Sequence, residues 1–502
     1  MSSSSRTTST VPMTSAVTPS RATLAVVCLA LATVVSAVAS LNVAIPSIAR
    51  DTQASQTEVS WIIDAYSLTF AALLLPAGAL GDRFGRRRAL LAGLAVFGAA
   101  AVAAMARADA HWLIGMRVIL GVGAALVMPA TLSTITSTYP EHLRARAVGT
   151  WAGVAGASAI LGLLSSGIIL QYWSWRGVFA FSLALALLGI VGTIAVVPES
   201  ADPDAPPLDV VGSLVSVLAL GALVYSIIEA PTDGWMSART LAGLGAGAVL
   251  LALFVWCELL TAHPLLDPRL FLRGGFSAGA LTVTAQFFVF FGFIFILLQY
   301  LQLVQGHGPL DSAVRMLPLA LGLMPSARGL APRLSGRLGA VRTSAVGLVL
   351  AGAAIAWLAD LSQGSSYGRL AGGLVVLGVG MGLAMTPATT TITDALPREQ
   401  QGVGSAMNDL ARELGGALGI AVLGSILQST YRSHLDVTGL PPATAAQARS
   451  SIAIASHLPG FTGQVHLAFV DALHAALLTG GCTLGVVAAV TLLLGRRHMP
   501  PR

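Results

Sequence analysis

Apolar residues fill long uninterrupted runs, and polar residues gather in the short breaks between them. The runs each approach the roughly 20 residues that an α-helix needs to cross a bilayer. Read along the chain, they predict fourteen spans, centred near Val35, Ala71, Phe97, Gly123, Ala159, Leu187, Leu218, Ala248, Phe290, Leu321, Ala351, Gly380, Ala417 and Leu484. Residues 1–20 are rich in Ser and Thr and read as a disordered cytoplasmic tail. The run at 23–48 is too long for the apolar core of a signal peptide, so it is a first span.

The breaks set an orientation. Alternate loops carry Arg83, Arg86, Arg87 and Arg88, then Arg144 and Arg146, then Arg269 and Arg273. The same side continues with Arg328, Arg333, Arg337 and Arg342, then Arg398, and last Arg496, Arg497 and Arg502. The opposite loops hold single arginines (Arg50, Arg107, Arg176, Arg239, Arg315, Arg369), plus Arg432 and Arg449 in one long loop. The excess of arginine on one side predicts that both termini are cytoplasmic. An acidic, proline-rich stretch at 198–209 ends the sixth span and reads as a linker. The expected organisation is therefore a tail at 1–20 and a six-helix bundle at 21–200. A linker with two inserted helices at 201–264 and a second six-helix bundle at 265–502 complete it. A weak internal repeat agrees: the glycine- and arginine-bearing loop after the second span has a counterpart at 329–339, after the tenth, and such repeats mark secondary transporters.

Composition narrows the function. The 502 residues are 55% hydrophobic and only 10% charged, far below the roughly one quarter charged of a soluble domain. A net charge of +6 would suggest nucleic acid in a soluble protein, but here the arginines sit in membrane-flanking loops, and no nucleic-acid partner is expected. All 28 basic residues other than histidine are arginine. Without lysine there is no phosphate-binding P-loop and no retinal Schiff base. Cys28, Cys257 and Cys482 lie far apart in apolar runs and form no CxxC or Cys/His cluster, which predicts neither a disulfide nor a metal site. No convincing nucleophile–base set is present, so an enzyme is not expected.

The most specific string is Gly78-Ala79-Leu80-Gly81-Asp82-Arg83-Phe84-Gly85-Arg86-Arg87-Arg88. It resembles the signature loop of the major facilitator superfamily. Asn42-Val43-Ala44-Ile45-Pro46, the stretch from Trp61 to Tyr66, Trp175-Arg176 and Leu414-Gly415-Gly416-Ala417-Leu418-Gly419 narrow the resemblance to its fourteen-helix drug:proton antiporter family, over nearly the whole chain. The resemblance implies an all-α polytopic membrane protein with the major facilitator fold. It also implies that Gly78, Asp82, Arg83, Gly85 and Arg86 build a latch joining the two bundles on the cytoplasmic side in one state.

Arg117-Val118-Ile119-Leu120-Gly121-Val122-Gly123 resembles the family's fourth-helix motif, with Leu120 where a glutamine is usual. A buried arginine costs roughly 2.5–3.5 kcal/mol on insertion scales and should be paired. Asp64, about two turns from the same outer surface, is the expected partner. Gly162-Leu163-Leu164-Ser165-Ser166-Gly167 lacks the proline and one glycine of the family's fifth helix, which puts a hinge there in doubt. Ala37 stands where many relatives carry a first-helix aspartate, so coupling must rest on other acids.

Those acids are Asp64, Asp409 and Glu413, the last two four residues apart on one helical face with Arg412 beside them. Intramembrane ionisable residues are candidate functional groups by default, and burial opposes the charge that a nearby arginine favours. The alternative for Asp409 and Glu413 is a gate salt bridge with Arg412. Phe287, Phe288, Phe290, Phe291, Phe293, Phe295 and Tyr300 read equally as an aromatic wall for lipophilic drugs or as lipid-facing packing. Glu229 and Glu258 are expected at the interface, and His474 with Asp471 is a weaker relay candidate.

The expected function is proton-coupled export of lipophilic, including cationic, small molecules through a bacterial cytoplasmic membrane by alternating access. The protein is expected to be a monomer whose partners are its substrate, protons and the bilayer, and it needs no cofactor because the proton gradient drives it. A narrow exporter of one antibiotic or metabolite is the alternative within transport. A non-transporting membrane receptor is the rival from another class.

Overall fold

The computed structural model describes residues 21–201, 209–262, 264–396, 401–458 and 460–496. The expected tail at 1–20, most of the linker, and Arg398, Arg497 and Arg502 lie outside the described residues. Among the described residues every regular element is helical. The first six long helices are α1 (Arg21–Thr52), α2 (Gln56–Phe84), α3 (Arg86–Met105), α4 (Ala110–Thr138), α5 (Glu141–Tyr172) and α6 (Arg176–Val196). Two more, α7 (Val210–Asp233) and α8 (Ala238–Leu260), follow the linker. The rest of the chain forms α9 (Gly274–Gln299), the short α10 (Pro309–Arg315), α11 (Leu317–Pro325) and α12 (Ala331–Leu338), then α13 (Ala340–Ala359) and α14 (Tyr367–Asp394). It ends with α15 (Gln401–His434), the short α16 (Pro442–Ser450) and α17 (Ile452–Ala455), and α18 (Thr462–Arg496).

Thirteen of these helices are long and apolar enough to cross a membrane. The tenth expected span, centred near Leu321, is instead a succession of helical pieces over residues 309–338, with π-helical turns at Ser326–Leu330 between α11 and α12. Its prolines explain the breaks. Pro309, Pro318 and Pro332 open α10, α11 and α12, and Pro325 ends α11, because proline has no N–H for the i−4 carbonyl.

Polar residues at the breaks define the other ends. Ser55 caps α2 in a reciprocal capping box with Glu58, and Asp109 caps α4 by accepting from the Trp112 N–H at 2.7 Å. Helices α1 to α6 pack on one another, and α9 packs with α14, α15 and α18, while α13 joins α14 and α18. Helices α7 and α8 pair with each other, and α7 alone inserts between α2 and α15.

The weak sequence repeat has a physical counterpart. Gly85, at φ +113°, ends α2 and begins α3, and Gly339, at φ +85°, ends α12 and begins α13. Both turns use left-handed backbone that residues with a Cβ resist. The next crossing repeats as well. A Cβ on Gly93 would sit 2.8 Å from the Gly123 carbonyl oxygen between α3 and α4, and one on Gly347 would sit 2.6 Å from the Gly380 carbonyl oxygen between α13 and α14.

Candidate transport site

Asp64 lies eight residues into α2 and is 0% exposed, and neither carboxyl oxygen has a hydrogen-bond partner. Arg117, on α4, is 1% exposed. The expected ion pair between them is not formed. The Arg117 guanidinium donates instead to the backbone of α2, through Nε to the Ile62 carbonyl at 2.8 Å and Nη2 to the Ile63 carbonyl at 3.4 Å. It also lies 4.2 Å from the centre of the Tyr66 ring, a cation–π contact in a desolvated setting. Gly121, one turn further along α4, makes this approach possible, since a Cβ there would meet the Tyr66 carbonyl oxygen at 2.7 Å. Arg117 is thus satisfied by carbonyl dipoles and an aromatic face, and Asp64 is left without a hydrogen-bond or salt-bridge partner.

Ala37, on α1, lines a small cavity together with Arg117, Ser40, Leu120 and Ser182. A longer side chain at position 37 would therefore enter the space beside Arg117.

Helix α15 presents Asp409, Arg412 and Glu413 together. Arg412 donates to Glu413 Oε1 from Nε at 3.3 Å and from Nη2 at 3.2 Å, and its Nη2 stands 3.7 Å from Asp409 Oδ1. The three form one cluster, with Arg412 also 5.9 Å from the Phe287 ring of α9. Helix α15 packs against α2, so the two clusters lie on helices that meet.

The aromatics of α9 divide. Phe293 and Phe295, with Tyr300 just past the end of the helix, are fully buried core. Phe287, Phe290 and Phe291 form a half-buried group with ring centres 5.4–6.0 Å apart, next to Arg412. Gly416 makes room for this group, as a Cβ there would meet Phe291 at 2.8 Å. An apolar surface beside carboxylates is chemically suited to lipophilic cations.

The signature loop is held within the first helical group. Asp82 pairs with Arg86 at 2.8 Å, and Glu199, just past α6, accepts from the Arg87 N–H at 3.1 Å and stands 3.6 Å from Arg88 Nε. The Arg86 N–H donates to the Ser200 carbonyl at 2.8 Å, and Arg83 is exposed. Gly78 lies against Pro129 of α4, and Gly85 against Glu199. None of these contacts reaches the later helices, so in this state the loop clasps α2, α3 and the end of α6. The sequence does not single out Glu199, because it stands in an acidic linker.

Contacts between α1–α6 and the later helices gather toward the end that carries the α1–α2 turn. Gln302 donates to the Val43 carbonyl at 3.0 Å, Gly167 of α5 lies against Leu310 of α10, and Gly424 of α15 lies 3.3 Å from Ser60 as measured from an added Cβ. Gly162 lets α5 cross the backbone of α1 at Ser36, so the altered fifth-helix motif still serves close packing. Toward the other end, Gly149, Gly153 and Gly156 of α5 face open space. Elsewhere, Glu229 accepts from Trp61 Nε1 at 2.9 Å, and His474 Nδ1 lies 3.3 Å from the Ala359 carbonyl rather than against Asp471. Glu258, near the end of α8, is 1% exposed.

Stacked apolar helices, buried charges at their crossings and a duplicated turn define a polytopic membrane transporter. The chain belongs to the Major Facilitator Superfamily, whose family profile matches residues 26–420. It is a transporter and not an enzyme. It is 36% identical over 485 residues to the multidrug efflux pump LfrA of Mycolicibacterium smegmatis, covering 95% of each chain. It is 34% identical over 466 residues to the methyl viologen resistance protein SmvA of Salmonella typhimurium, covering 90% of this chain and 92% of that one. Among solved structures, a bacterial homologue of the human lysosomal transporter Spinster, in an inward-facing and unoccupied conformation, superposes with a TM-score of 0.63. The match has 18% identity and covers 95% of this chain and 98% of that one, which shows a shared fold.

Proposed function

We propose that this protein exports lipophilic small molecules, cationic ones among them, from the bacterial cytoplasm in exchange for protons. The observation that carries the reading is Asp64, a fully buried carboxyl group with neither oxygen hydrogen-bonded. An ionised carboxylate so placed is costly, and the neutral acid is not, so the position favours a group that takes up and releases a proton. The relatives named above, a multidrug pump and a methyl viologen resistance protein, support the substrate class.

In this proposal Asp64, Asp409 and Glu413 are the coupling and substrate acids, Arg117 and Arg412 set their electrostatics, and the Asp82 loop is the conformational latch. Both termini and the α2–α3 turn are cytoplasmic, following the arginine-rich loops. The pieces at 309–338 act together as the tenth of fourteen crossings, and the two helical groups rock about α2, α5, α10 and α15. Because the contacts between the groups gather at the α1–α2 end, the state described is the inward-facing one. Protons enter from outside when the groups rock the other way, neutralise Asp64, and are released to the cytoplasm as the transporter resets.

A narrower exporter of one antibiotic or metabolite has one observation in its favour: with alanine at position 37, the only carboxylate on α1 is Asp51 at its very end. Efflux assays across chemically diverse compounds, with and without an uncoupler, test both. Broad protection that collapses with the uncoupler supports the multidrug reading. Protection against a single compound supports the narrow one, and loss of neither compound class from cells would refute export.

A further inference from the structure

Two carboxyl groups face each other far from the candidate transport site, where the chain enters and leaves the inserted helix pair. Asp209 caps α7, with Oδ1 accepting from the Gly212 N–H at 2.7 Å, while its Oδ2 is buried without a partner. Glu258, near the end of α8, is 1% exposed. Its Oε2 accepts from the Leu266 N–H at 3.2 Å, and its Oε1 has no partner. The two orphaned oxygens point at one spot. A Cβ on Gly212 would overlap Glu258 Oε1 and come within 2.5 Å of Asp209 Oδ2, so glycine at 212 keeps the space between them clear.

We propose that Asp209 and Glu258 form a proton-binding site in which one proton is shared between these facing oxygens. Two ionised carboxylates cannot occupy such a buried site without compensation. Protonation makes one O–H bond on either acid, which then donates to the carboxylate of the other, leaving one negative charge for the pair. The outer oxygens are already stabilised by the Gly212 and Leu266 amides. No cation takes the proton's place among the described neighbours. The 3-10 helix Pro268–Leu272 packs on α8 and carries Arg269, with Asp267 and Arg273 as its caps; Arg269 donates to the Leu259 carbonyl at 3.3 Å and through its N–H to Asp267 Oδ1 at 2.9 Å, and Arg273 donates to the Ala395 carbonyl at 2.7 Å. Arg239, on α8, pairs with Asp233 at the far end of the helix, and position 263 and residues 202–208 lie outside the described residues. A bound Mg²⁺ or Ca²⁺ would need six or more oxygen ligands, whereas a proton needs these two.

The site has a mechanical consequence. Asp209 ends the linker from the first helical group, and Leu266 begins the path to the second. A shared proton therefore ties both chain crossings to α7 and α8, and its loss places two like charges across the joint.

The test uses the purified full-length protein, with thermal midpoints measured from about pH 6 to about pH 9. Glu258→Gln keeps the shape and donates permanently to Asp209, so it mimics the protonated pair. Raising the pH removes a proton bound in the folded state, so wild-type stability falls. The wild-type midpoint should decline more steeply than that of Glu258→Gln, by about 1 °C per pH unit. Infrared difference spectra of wild type should show a protonated-carboxyl C=O band that bleaches on alkalinisation and is missing from Glu258→Gln. Asp209→Asn supplies the same comparison if Glu258→Gln fails to fold. Parallel pH profiles or an absent band would overturn the proposal. So would a midpoint restored at high pH by Mg²⁺ in wild type alone, which would make the site one for a metal cation.

Discussion

Replacing Asp64 by Asn keeps the shape of the protonated acid and removes its ability to release a proton. Both Asp64 oxygens lack partners and the side chain is fully buried, so the change breaks no hydrogen bond in this state. The folding cost should stay within about 1 kcal/mol, and the variant should insert and purify as wild type does. The effect on coupling is large. Exchange of one proton for one monovalent cation moves no net charge, so the pH difference drives it, and each pH unit is worth about 1.4 kcal/mol, an about tenfold substrate gradient. In Asp64→Asn that gradient should fall to about one, while equilibrium binding of a fluorescent lipophilic cation survives, because the aromatic group beside Arg412 is untouched. Proteoliposomes with an entrapped pH dye read both quantities. Wild-type proton movement from Asp64→Asn, combined with its loss in Asp409→Asn or Glu413→Gln, would refute the reasoning and move the coupling site to α15.

Other residues give independent outcomes. Arg117→Lys removes the paired donation to Ile62 and Ile63 and the stacking on Tyr66, and should lower the thermal midpoint and transport together, because lysine lacks the planar fork. Ala37→Asp places a carboxylate in the cavity beside Arg117 and should fold, whereas the same change combined with Arg117→Met should lose most of its folded yield; equal yields would show that the cavity does not bring the two positions together. Gly85→Ala forces a Cβ into φ +113° and against Glu199, and should destabilise the α2–α3 turn by about 1–3 kcal/mol, read as a lower midpoint. With the three native cysteines removed, Arg86→Cys should resist an impermeant thiol reagent in intact cells, and a cysteine in the 429–464 loop should react; the reverse pattern would invert the topology.

Long apolar runs and arginine-bearing breaks made the helical architecture legible, because lipid-spanning helices must be continuous and apolar. The tenth span was the exception, since hydropathy does not register how Pro318, Pro325 and Pro332 divide a run. The candidate acids were legible as rare charges in apolar surroundings, and the structure brings Asp409, Arg412 and Glu413 together as their helical spacing implies. The partner of Arg117 was not legible. A pattern of charges suggests an acid, but backbone carbonyls and an aromatic face are invisible to it, and Gly121 decides the outcome by how closely α4 meets α2. Glu258 shows a similar limit: its place near the end of α8 is legible, but the carboxyl group it meets lies 49 residues earlier in the chain, at Asp209.

Proton–substrate exchange by the wild-type protein tests the central claim most directly. The purified transporter is reconstituted into sealed vesicles, and a gradient of a lipophilic cation is imposed with no pre-set pH difference. The account predicts that protons move opposite to the cation, that a pH difference imposed alone drives the cation uphill, and that an ionophore abolishes both. Cation flux that proceeds at the same rate with no proton movement, unchanged by the ionophore, would contradict it.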